Sequence, residues 1–244
     1  MNNGKISTNV AFNSSIVKNI PLFYVIGNHE LLNIDDLPFA ENRFKSYSYS
    51  PNPGPEGSRN TTYSFDVGNM HIVVLNEYWD GDYNGICNWY RPNNGLNRDD
   101  SCFKYTEEDG GFISDKLFNW LENDLKNNSK KMNIVVGHEP LYPLRRHIGD
   151  SLDENVSNRD KLEKLFVSNG VVVFIGGHTH IAGVQKIDNI FHVNAGVFGD
   201  NKKDGDNFAS IIFAYVDKNG NFNLEWRYEN PTWINPGLKI FTKN

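Results

Sequence analysis

Three stretches of this 244-residue chain join an apolar run to side chains that bind metals. Val171–His180 reads Val-Val-Val-Phe-Ile, then Gly-Gly-His-Thr-His. Met132–Pro140 reads Met-Asn-Ile-Val-Val, then Gly-His-Glu-Pro, and Pro21–Glu30 reads Pro-Leu-Phe-Tyr-Val-Ile, then Gly-Asn-His-Glu. Neutral imidazole and an amide oxygen bind borderline cations such as Zn, Mn and Fe. A single His-x-His pair would be an ordinary polar turn with two satisfied histidines. The same layout three times points to one shared site, on which Asn28, His138, His178 and His180 are expected to converge.

The elements that must position these residues are buried strands. Continuous apolar runs without alternation fit strands covered on both faces, as in parallel or mixed α/β sheets. Such sheets place ligands beyond the carboxyl ends of their strands. Gly176 and Gly177 are expected to turn the backbone sharply before His178. The pattern also predicts strands at 22–26, 62–67, 70–75 and 132–136. Gly68-Asn69 marks a hairpin between the second and third of these. A helix starting at Ser114 would bury Leu117, Trp120, Leu121 and Leu125. A second, over 158–169, would bury Leu162, Leu165 and Phe166 and stop at Gly170. A helix is also expected over 35–47. Tail strands near 183–187, 190–194, 209–217 and 222–228 are expected to close a second sheet. His71 lies mid-strand and reads as structural, and His192 is assigned no role.

Residues 77–112 read as a long irregular insertion, either a lid or rim over a site or a decoration. It holds Cys87 and Cys102, which fit either a disulfide of a secreted or extracytoplasmic protein or two free thiols. The polar start, Met1-Asn-Asn-Gly-Lys5, is no signal peptide. A formal net charge of -6 argues against a nucleic-acid backbone as partner. No apolar run approaches the roughly 20 residues that span a membrane.

In order, Gly27-Asn28-His29-Glu30, Gly137-His138 and Gly177-His178-Thr179-His180 match the blocks GNH(D/E), GH and GHxH. On these blocks the chain resembles the calcineurin-like metallophosphoesterases. The Tyr63–Asn76 hairpin, and a histidine nine residues after His138 in Val135-Val-Gly-His138, resemble the purple acid phosphatases. The resemblance implies an αββα four-layer sandwich, two mixed sheets flanked by helices. It implies two divalent or trivalent metal ions (Fe, Mn or Zn), one on Asn28, His138 and His178, the other on His180. His29 would contact phosphate and protonate the leaving group, with Glu30 orienting its neighbours. His147 would bind phosphate or donate a proton, and Arg145 and Arg146 would assist through guanidinium–phosphate pairing. The implied activity is hydrolysis of small phosphate esters, monoesters before phosphodiesters, with a non-catalytic binding domain as the rival.

The family's D-x-H and G-D-x-x-(D/Y) blocks are not matched, and the first 27 residues contain no Asp, Glu or His. Two divalent ions about 3.5 Å apart repel by roughly 19 kcal/mol at an effective dielectric near 20, which a bridging carboxylate normally offsets. The expectation is therefore a single domain, 1–244, forming the carboxyl-terminal portion of a longer enzyme. It would lack its first strands and be weakly active or inactive alone. Otherwise Glu30, Glu139 or Asp200 would have to supply the missing carboxylate.

Overall fold

The computed structural model describes residues 23–28, 52–58, 61–79, 111–128, 132–197, 210–219, 221–228 and 236–242. Its apolar runs pair into two sheets. β1 (Asn52–Pro53), β2 (Tyr63–Val67), β3 (Met70–Val74), β4 (Met132–Val136), β5 (Val171–Gly176), β6 (Ala182–Ile187) and β7 (Ile190–Ala195) form a seven-stranded mixed sheet. Its order is β1-β2-β3-β4-β5-β7-β6. The central strands β3, β4, β5 and β7 are parallel, and the edges are antiparallel. β8 (Ser210–Val216), β9 (Phe222–Tyr228) and β10 (Pro236–Thr242) form a second sheet. That sheet is antiparallel.

Both described helices belong to one core. α1 (Asp115–Lys126) contributes Leu117, Leu121 and Leu125, and α2 (Val156–Ser168) contributes Leu162 and Phe166, against Val73, Val135 and Phe174. On the other face, Met132, Ile134, Val173 and Val193 meet Phe222, Leu224 and Trp226 of the small sheet. The described residues thus stack helices, large sheet and small sheet. β5 serves both cores by alternation, Phe174 on one face and Val173 and Ile175 on the other, with a bulge near its start: Asn133 pairs with Val171 but Ile134 with Val173, leaving Val172 as the extra residue.

Local signals set the element ends. Ser114 caps α1 by accepting from Leu117 N at 3.3 Å. Asn155 caps α2 by accepting from Asn158 N at 3.0 Å, so that helix starts earlier than its apolar pattern indicates. Gly170, at φ 65°, follows α2 in the left-handed conformation that ends helices. Asp188 and Asn189, at φ 47° and 68°, form the tight turn between β6 and β7.

Two expectations change. The tail does not form one sheet: β6 and β7 join the large sheet, because β7 pairs in parallel with β5. The described strands of the small sheet are all antiparallel. Residues 23–27, expected as a strand, belong to neither of the two sheets. Side chains hold them instead: Phe23 stacks on Phe65 at 3.8 Å, and Tyr63 donates to Tyr24 O at 2.7 Å. The expected helix at 35–47 and both cysteines lie outside the described residues. No helix among the described residues is long and apolar enough to cross a membrane.

His71 ties the β2–β3 hairpin to α1. Its ring nitrogens lie 2.9 Å from Asp66 Oδ1 and 2.8 Å from Asp124 Oδ2. Burial works against a charged ring, but hydrogen bonds and charge from Asp124 and Asp66 outweigh it, so His71 titrates above its ordinary 6.5. This clamp is complete below about pH 6.5 and is lost as pH rises through the folded-state value. Thermal unfolding across that window should show falling stability. His71→Gln should reduce the slope and cost about 2 kcal/mol at neutral pH. An unchanged slope would contradict the clamp.

Candidate active site

The parallel strands deliver their carboxyl ends to one place. β3 runs into Glu77, β4 into Gly137-His138-Glu139, β5 into Gly177-His178, and β7 ends beside Asn194. Asn194 Oδ1 accepts from Thr179 Oγ1 at 3.2 Å, tying the β5 loop to β7.

Close packing, rather than turning, explains the glycines. Gly137 and Gly176 do not have positive φ; a Cβ on Gly137 would collide with the Glu77 carboxylate, and one on Gly176 would press on Pro140 Cα at 3.1 Å. The left-handed conformations fall on the site residues instead: Arg145, His147, His178 and His180 have φ of 60°, 58°, 55° and 58°. Such angles are uncommon outside glycine and gather where the surroundings enforce them. The expected sharp turn at Gly176 and Gly177 is therefore made by the histidines.

His138, Glu139 and His178 each bring one ligand atom within 4.8 Å of the others. Asn28 Oδ1 joins them, 3.1 Å from His138 Nε2. His178 Nε2 lies 3.4 Å from Glu139 Oε2, yet both atoms are buried without a hydrogen-bond partner among the described residues. Burial pushes the His178 pKa down to about 2, helped by His138, His147, His180 and Arg146. The ring is held neutral, with its lone pair available.

Glu139 and Glu77 are fully buried. Glu77 Oε2 accepts from His138 N and Glu139 N, both at 2.7 Å, and this fixes the β4 loop. Burial pushes Glu77 up to about 8. Burial also pushes Glu139 well upward; Glu77 and Asp150 add to this, while Tyr78 and Ser151 oppose it. Tyr78 Oη donates a short hydrogen bond to Glu139 Oε1.

The remaining candidates surround this group. The His147 ring lies 4.0 Å from that of His178, and its Nδ1 donates to Asp150 Oδ2 at 2.9 Å. His180 stands outside the three-residue group; its Nδ1 accepts from Arg146 Nη1 at 2.6 Å. Arg146 is thus at the site, whereas Arg145 is exposed. His29, Glu30 and Asp200 lie outside the described residues. Glu77 is the residue that sequence reasoning missed. It follows the apolar run Met70–Leu75 at the same strand-end position as the ligands, but no glycine marks it.

Residues 1–182 match the family model of the calcineurin-like phosphoesterases. The chain belongs to that family. Among similar proteins is a probable purple acid phosphatase 20 of Arabidopsis thaliana, 25% identical over 84% of this chain and 42% of that protein. A human manganese-dependent ADP-ribose/CDP-alcohol diphosphatase is 29% identical over 53% of this chain and 38% of that protein. The chain therefore spans about two fifths of the length of these relatives. A solved structure of GAP50, described as the anchor in the inner membrane complex of Plasmodium, shares the fold. Its TM-score is 0.53 at 15% identity, covering 91% of this chain and 67% of that one.

Two phosphoesterase-family loops thus rest on Glu77 and Pro140. Gly137→Ala should overpack the Glu77 carboxylate and lower stability by about 2 kcal/mol. Denaturant unfolding would measure this, and a neutral substitution would contradict the packing argument.

Proposed function

We propose that this chain binds metal and uses it to hydrolyse small phosphate esters, with monoesters favoured. One observation carries the reading. In a calcineurin-like phosphoesterase, His138 and His178 follow adjacent parallel strands, Asn28 meets His138, and His178 Nε2 is buried with no hydrogen bond among the described residues. Neutral imidazole nitrogens and an amide oxygen suit Mn, Zn or Fe. Two such ions, with His180 serving the second, are the fuller form of the proposal. When bound, divalent ions polarise phosphoryl oxygens and lower the pKa of water.

The chain's own residues would orient the ester and move protons. With Nδ1 committed to Asp150, His147 has Nε2 left for a phosphate oxygen or the leaving group. His29, next to Asn28, is assigned the same kind of task, with Glu30 behind it. Arg146 supplies positive charge beside His178 and His180. Its guanidinium matches phosphate oxygens, and Arg145 is the weaker candidate. The 77–112 insertion is rooted here, since Phe112 N donates to Glu77 O at 2.7 Å. Residues 80–110 of the insertion lie outside the described residues. A second reading, cleavage of a diphosphate linkage, is favoured by the similarity to the human diphosphatase.

A monoester, a diester and a nucleoside diphosphate ester, each assayed with Mn2+ and with a chelator, separate these readings. Metal-dependent monoester turnover is expected. His147→Ala should lower kcat by roughly 100-fold while leaving bound metal unchanged. Metal loss with unchanged turnover per ion would refute the role of His147. Stable metal binding without turnover on any of the three would leave a binding domain.

A further inference from the structure

We propose that Glu139 is a metal ligand, giving the His138–His178 site a carboxylate that the family resemblance does not assign. The inference rests on the metal-binding reading above. Glu139 is 0% exposed, and its Oε2 has no hydrogen-bond partner among the described residues. Orphaned buried carboxylate oxygens are costly and call for an explanation. This one faces another orphan, His178 Nε2, at 3.4 Å.

The spacing fits a common ion. Ligand atoms about 2.1 Å from one metal sit roughly 3.0 Å apart at right angles and roughly 3.4 Å apart at the tetrahedral angle. The two short separations here are 3.1 Å, between Asn28 Oδ1 and His138 Nε2, and 3.4 Å, between Glu139 Oε2 and His178 Nε2. Asn28, His138 and His178 are all neutral ligands. A divalent ion on them alone would carry its full charge into a buried pocket, and a carboxylate in the coordination shell halves it.

The surroundings hold Glu139 in place for this task. Tyr78 Oη binds its Oε1, so the carboxyl is anchored on one oxygen and open on the other. Glu77 fixes the backbone of the same residue by accepting from Glu139 N at 2.7 Å. A Cβ on Gly111 would approach Glu139 Cγ at 3.0 Å, so glycine there keeps the pocket wide enough for this side chain. Outer supports of this sort are typical of metal ligands.

Calorimetric titration of the 244-residue chain with Mn2+ alone tests the proposal, with Glu139→Gln, Glu139→His and His178→Ala beside it. Glu139→Gln should weaken Mn2+ by at least about tenfold and abolish the Mn2+-induced rise in Tm. Glu139→His, which substitutes an imidazole donor, should shift the preference from Mn2+ towards Zn2+ and provides a second variant if the first fails to fold. If His178→Ala loses Mn2+ while both Glu139 variants keep wild-type affinity and metal preference, the carboxylate is packing and the proposal is wrong. If the wild-type chain binds neither Mn2+ nor Zn2+, the metal-binding reading fails, and the proposal with it.

Discussion

A buried carboxylate with two backbone donors holds this site together. Glu77 has no exposed surface, and its Oε2 receives the N–H groups of His138 and Glu139. Those two bonds fix the loop after β4, which presents one imidazole and one further carboxyl. The same loop sets the next one: Pro140 lies against Gly176, and His138 O accepts from Gly177 N at 2.7 Å. Position therefore passes from β3 to β4 to β5, and the last member, His178, is the residue left without a hydrogen-bond partner at Nε2.

The electrostatics of the site favour neutral groups. Two buried carboxyl groups lie close enough for Glu77 to raise Glu139, and several imidazoles and a guanidinium lower His178. Each group is pushed towards its neutral form, as expected when charges are withdrawn from water without a partner. Neutral imidazole is the form that binds a cation. A cation would also restore the charged form of a neighbouring carboxyl. Strained backbone at His147, His178 and His180 is consistent with a constellation held for chemistry rather than for folding alone.

Much of this was readable from local pattern. The three strand-glycine-ligand runs, the Gly68-Asn69 hairpin and the Ser114 cap depend on residues within a few positions of each other. What was not readable depends on distance. Glu77 lies 61 residues before His138, and no local signal says that its carboxylate will meet that backbone. The glycines were visible, but their reason was not: Gly137 and Gly176 make room for Glu77 and Pro140, neighbours known only from the packed sheet. Sheet membership of the tail also failed, because β7 pairs in parallel with β5 while β8 does not, and alternation carries no information about partners. His71 shows the opposite case. Its mid-strand position correctly marked it as structural, though the acids that clamp it come from β2 and α1.

The most direct test is anomalous diffraction from crystals of the chain soaked in Mn2+. The account predicts a strong peak about 2.0–2.2 Å from Asn28 Oδ1, a ring nitrogen each of His138 and His178, and Glu139 Oε2. No peak between those side chains would contradict it.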